Sequence, residues 1–98
     1  MRPLFQPAAI ADLEGIGDYI ARDSPRRAVS FIRELRRQCA TIAANPTAYR
    51  QRAEFGEGVR CCAYRNYLIF FTHQAGRLCI VRILHGAMDV AAQFAAEP

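Results

Sequence analysis

The chain has 98 residues, 52% of them hydrophobic and 22% charged, which supplies one hydrophobic core and leaves no room for a second domain. All thirteen cationic residues are arginine, against nine acidic ones, for a net charge of +4 that suits an acidic partner as well as it suits plain solubility. No stretch approaches the ~20 apolar residues of a membrane span, and Met1-Arg2-Pro3-Leu4-Phe5 lacks the apolar run of a signal peptide, so a cytoplasmic single domain over residues 1–98, free of membranes, is expected.

Pro3 to Gln6 reads as a short edge strand, because flanking prolines tolerate an extended segment and end its pairing. From Pro7 or Ala8 to about Arg22, Ile10, Leu13, Ile16 and Ile20, joined by Tyr19, recur at helical spacing. Gly15 and Gly17 each weaken that helix by about 1 kcal/mol relative to alanine, so either another element approaches closely there or the helix is loose. Ser24-Pro25 announces a second helix, with a capping oxygen followed by proline where a missing N–H costs nothing. Ala28, Ile32, Leu35, Cys39 and Ile42, widened by Phe31, form its apolar stripe, and Asn45-Pro46 ends it. The tight connection predicts an antiparallel helical hairpin. Its polar side carries Arg26, Arg33, Arg36 and Arg37 with Glu34 as the main counter-charge, either a solvated face or one that meets a partner.

Beyond a non-periodic stretch from about Asn45 to Gly58, Val59 to Tyr64, Tyr67 to His73 and Leu78 to His85 are strand-length runs separated by hairpin-length turns. The middle run, Tyr67-Leu68-Ile69-Phe70-Phe71, is apolar at both alternating phases, so both faces of a central strand must be covered. The helices cover one face. The other awaits a C-terminal helix carrying Met88, Ala91 and Phe94, or a second chain. The fold class expected is α+β: an antiparallel sheet, made of the N-terminal edge strand and a three-stranded meander, packed on a helical hairpin. The order is β-α-α-β-β-β with a short C-terminal helix or tail. Cys39, Cys61, Cys62 and Cys79 have no metal-ligand spacing and read as core residues, Cys61 and Cys62 pointing to opposite faces of a strand. No metal or cofactor is expected.

The element order, together with Ala9-x-x-Asp12-Leu13-x-x-Ile16, Tyr19-Ile20, Ala28-x-x-Phe31-Ile32, Asn45-Pro46, Gly58-Val59-Arg60, Asn66-Tyr67-Leu68-Ile69-Phe70-Phe71 and Arg82-Ile83-Leu84-His85-Gly86-x-x-Asp89, resembles the ParE branch of the RelE/ParE toxin superfamily. The resemblance covers nearly the whole chain. It implies the toxin of a type II toxin–antitoxin pair, which acts on DNA gyrase by protein binding and not as an enzyme. It also implies a ParD-like antitoxin that neutralises the toxin directly and contacts operator DNA, which the toxin would meet only through that antitoxin. Met88 stands where the branch often has a basic residue, so the contact surface is less well specified.

The rival within the superfamily is a RelE-like, ribosome-dependent messenger-RNA endonuclease. In that reading Arg60 and Arg82 supply the cations and His85 moves the proton, although no tyrosine follows Tyr67 and lysine is absent. A third possibility is a relic that binds antitoxin and harms nothing. Arg82 is expected either to pair with Asp12 or Asp89 or to face a partner, and His85 either bonds local backbone or acts in the site. The residues expected to contact partners are Arg60, Tyr67, Arg82, His85, Asp89 and Phe94.

Overall fold

The structure, a computed structural model, describes residues 1–87 and 90–95. Strand β1 (Pro3–Phe5) leads into helices α1 (Pro7–Ala21) and α2 (Pro25–Ala44), followed by two single 3-10 turns, Pro46–Ala48 and Ala53–Phe55. The meander is β2 (Val59–Tyr64), β3 (Tyr67–Gln74) and β4 (Arg77–His85), and a short helix α3 (Val90–Ala95) closes the described chain. The expected architecture is therefore present. The Ser24 side chain accepts the Arg27 N–H at 3.1 Å and Pro25 opens α2, so the start of that helix is built as its sequence signal implies.

The four-stranded sheet runs β1-β4-β3-β2, and it is mixed: the meander is antiparallel, whereas β1 lies parallel to β4. Pro3–Phe5 pairs only with Leu78–Ile80, the Gln6 N–H donates to the Ile80 carbonyl at 2.9 Å, and the chain then continues in the same direction as α1 beside the remaining half of β4. Pro7 at the first helical position sets that exit.

Where β1 ends, a carboxylate takes its place. Asp12 on α1 accepts the backbone N–H of Ile83 at 2.9 Å and holds the Arg82 guanidinium with both oxygens, at 2.8 Å from Nε and 2.9 Å from Nη2. Both side chains are nearly buried, and Arg82 also donates to the Gln93 carbonyl of α3 at 3.4 Å. One ion pair thus joins α1, β4 and α3. Of the alternatives open for Arg82, the structure takes pairing with Asp12; Asp89 lies outside the described residues.

The main core lies between the helices and one face of the sheet, with Leu13, Ile16, Phe31, Leu35, Cys39 and Ile42 against Cys62, Ile69, Phe71, Leu78, Ile80 and Ile83. A second cluster covers the opposite face: Val59, Phe70 and Leu84, with Phe55, Cys61, Leu68, Val90 and Phe94 packed on them. Phe94 meets Phe70 at 4.9 Å and Phe55 at 5.3 Å between ring centroids. The face that the sequence leaves to a C-terminal helix or a second chain is thus covered by α3 with help from Phe55. Met88, assigned to that helix from the sequence, lies outside the described residues. Cys61 and Cys62 fall in different clusters, on opposite faces of β2 as their adjacency requires.

The shift from one face to the other along β4 is set by an irregularity between Phe70 and Phe71, whose partners are Arg82 and Ile80, so Val81 is the extra residue. That bulge resets the alternation, so that Ile83 faces the main core while Arg82 and Leu84 lie on the face of the second cluster. Removing one member of a buried, hydrogen-bonded pair leaves an uncompensated charge, so Arg82→Met should lower the unfolding free energy by about 3–5 kcal/mol, and the double variant Asp12→Leu/Arg82→Met should lose less. Chemical denaturation measures both. Equal loss in the single and double variants would mean that the pair's geometry, and not its charge, carries the effect.

Candidate functional site

The residues singled out from sequence do not converge on one site. Arg60 lies at the start of β2, opposite Phe71, and donates to the Tyr49 carbonyl at 2.6 Å, which straps the loop after α2 to the sheet. Arg82 lies opposite Phe70 on β4, its charge met by Asp12. Phe70 and Phe71 belong to clusters on opposite faces of the sheet, and His85 lies three residues beyond Arg82, about 10 Å along the strand. The three groups of a nuclease site therefore face different surroundings. Phe94 is part of the second apolar cluster. Asp89 lies outside the described residues.

Tyr67 and His85 do come together. They are register partners at the ends of β3 and β4, with ring centroids 5.1 Å apart and planes nearly perpendicular. They line a groove of about 840 Å³ whose other walls include Asp12, Gly15, Ile16 and Tyr19 of α1, Arg27 and Phe31 of α2, and Arg65 and Asn66 of the β2–β3 turn. His85 Nδ1 accepts the Ala87 N–H at 3.1 Å, the local backbone bond expected of a histidine at a strand end, and the neutral ring therefore carries its proton on Nε2. The turn that forms the far rim is unusual, since Arg65 has φ of 53°, a left-handed conformation uncommon for a residue with a side chain.

Glu34 organises that rim. Its carboxylate pairs with Arg27 and with Arg65, and it accepts the Tyr64 hydroxyl at 2.9 Å. Glu34 therefore faces the meander, and it is not the counter-charge of the arginine face of α2. Arg26, Arg33 and Arg37 are exposed and form no ion pair among the described residues, while Arg36 stacks over Phe5 at 5.1 Å. Two guanidiniums share one carboxylate at the rim, so one positive charge there is uncompensated.

A second groove, of about 410 Å³, runs along the outer seam of the helical hairpin. Gly17, Ala28, Val29 and Ile32 form its apolar floor, with Arg33 and Arg36 on its edge. Val29 is 57% exposed, and beside the seam Ile10, read from the sequence as a core residue, is 43% exposed. Tyr19, which belonged to the same predicted stripe, is 66% exposed on the other side of α1. An apolar stripe too wide for one core is the signal by which these two surfaces are recognised in the sequence.

The thiols are not poised for chemistry. Burial pushes Cys39 up to about 12 and raises Cys61 and Cys62, so none of the three is held as a nucleophilic thiolate. Among the described residues no group of three or more His, Cys, Asp or Glu side chains is placed to hold a metal ion, and no helix is long and apolar enough to cross a membrane.

Hydrogen bonds from Arg27 and Tyr64 hold Glu34 well below the usual carboxylate range, at about 2. A depressed folded-state pKa contributes stability above the unfolded value of 4.5 and loses it as pH falls toward 2. Thermal unfolding of the wild type should therefore weaken across that window, and Glu34→Gln should flatten this part of the profile. An unchanged profile would show that Glu34 titrates alike in both states.

The family model described as "ParE toxin of type II toxin-antitoxin system, parDE" matches residues 4–90. Among solved structures, a chain of the "Chromosomal ParDE TA system from P. aeruginosa" is similar, with a TM-score of 0.74 and 22% identity. The alignment covers 87% of this chain and 95% of that one. No curated protein matches.

Proposed function

The chain belongs to the ParE toxin family of type II toxin–antitoxin systems, and from that premise we propose that it inhibits DNA gyrase by binding and is neutralised by a ParD-like antitoxin. The family match over residues 4–90, nearly the whole chain, carries this reading. Inhibition by binding is favoured over RNA cleavage because the three groups a nuclease would need are dispersed. Arg82 is spent on Asp12, Arg60 on the Tyr49 carbonyl, and His85 shares its groove with Tyr67 and with neither of those two arginines.

The antitoxin's seat, in this reading, is the outer seam of the helical hairpin. An apolar floor with arginines at its edge fits the apolar stripe of an amphipathic, acidic helix. The adjoining Arg26, Arg33 and Arg37 would lose their mutual repulsion on meeting carboxylates. Operator DNA enters only through the antitoxin.

The purified protein should block plasmid supercoiling by gyrase and leave linear DNA after protein denaturation, and the antitoxin encoded beside it should prevent both. Val29→Arg should weaken that protection at least tenfold with little change in melting temperature, because Val29 is exposed and the substitution costs no core packing. Cleavage of ribosome-bound messenger RNA with gyrase untouched would establish the nuclease instead. Antitoxin binding with no effect on either target would identify a relic.

A further inference from the structure

The groove between α1 and the ends of the meander has features that the fold itself does not need. Gly15 lies mid-helix, where glycine weakens α1, yet a Cβ built at Gly15 meets nothing within 4 Å. Gly17 differs, since its Cβ would touch Ile32 at 3.5 Å across the helix seam. That is ordinary van der Waals contact, so packing within the chain demands glycine at neither position, and Gly15 has open space on its groove side. One turn further along α1, Tyr19 is 66% exposed on the same groove.

Asp12 also lines this groove, its carboxylate taken up by Arg82 and the Ile83 N–H, and His85, Tyr67, Arg27 and Arg65 offer donors. His85 Nε2 carries the ring proton because Nδ1 accepts the Ala87 N–H, and neither Nε2 nor the Tyr67 hydroxyl has a partner among the described residues. Arg65 adds a guanidinium from a left-handed turn position that glycine would occupy more easily, and it shares Glu34 with Arg27, which leaves a positive charge over. Donors, uncompensated positive charge, exposed aromatic surface and a notch in a helix together describe a site for an acceptor-rich chain that passes close to the backbone of α1.

Resting on the reading of this protein as a toxin that acts on gyrase, we propose that the groove receives an acidic segment of gyrase. The segment's backbone crosses α1 at Gly15. A carboxylate accepts from His85 Nε2 and the Tyr67 hydroxyl beside Arg65, and an apolar side chain lies against Tyr19. The antitoxin's seat on the outer seam is a separate surface on the other side of α1, so poisoning and neutralisation are separable by substitution.

Two variants test this with the full chain: Gly15→Leu, which fills the notch in a helix-favouring way, and His85→Ala/Tyr67→Phe, which removes both donors. The measurements are the melting temperature, the concentration that half-inhibits supercoiling by gyrase holoenzyme, and affinity for the purified antitoxin. Gly15→Leu should melt at or above the wild-type temperature. Each variant should raise the half-inhibitory concentration at least tenfold and keep antitoxin affinity within twofold. Half-inhibitory concentrations within twofold of wild type for both variants would overturn the assignment. So would a matching fall in antitoxin affinity, which would make the groove the antitoxin's. If the wild-type toxin leaves gyrase unaffected, the underlying reading fails at the first measurement and the proposal falls with it.

Discussion

The arrangement depends on a buried carboxylate that stands in for a missing strand. Strand β1 is only three residues long, so half of the β4 edge has no strand partner, and an unsatisfied backbone N–H there would be costly. Asp12 accepts the Ile83 N–H and grips Arg82 with both oxygens, and Arg82 reaches the α3 carbonyl of Gln93. Neither charge would be stable alone in that place. Together they fix where α1 crosses the sheet edge, which way its remaining faces look, and where α3 lies over the second apolar cluster.

With α1 fixed in this way, its two unburied sides become walls of two different grooves. On the outer side, Ile10 and Gly17 meet α2 along a seam floored by Val29 and Ile32, with Arg33 and Arg36 on its α2 edge and Glu14 and Asp18 on its α1 edge. On the inner side, Gly15 and Tyr19 face Tyr67, His85 and the Arg65 turn. In the function proposed above the chain meets both a target and an antidote, and a helix shared between two grooves would give each partner its own surface on a chain of 98 residues. The all-arginine cation set suits both, since its planar forks bind carboxylates with two hydrogen bonds.

The helical stripe of α2, the Ser24-Pro25 start and the two-faced apolar run of β3 are local signals, and each produced the element read from it. The stripe of α1 was overread. Ile10 and Tyr19 keep helical spacing with Leu13 and Ile16, but periodicity counts apolar residues and does not say how many of them one core can hold. The direction of β1, the role of Phe55 and the partner of Glu34 all depend on contacts between distant segments, to which spacing is blind. Arg82 shows the limit most clearly. Its alternatives were all chemically sound, and the choice rested on a bulge at Val81 that no residue type in the strand announces. For the sites, the sequence brought out Tyr67 and His85, which share a groove. It missed the parts that Arg65 and Glu34 play in the rim because a turn arginine and a helix glutamate look like ordinary solvated charges, and it left Gly15 open between close approach of another element and a loose helix.

The claim that one helix divides two binding surfaces is tested most directly by site-specific photocrosslinking, with the reactive residue placed at position 19 or at position 29. Toxin carrying the probe at 19 should capture gyrase and leave the antitoxin free, and toxin carrying it at 29 should capture the antitoxin and leave gyrase free. Capture of both partners from the same position would contradict the account.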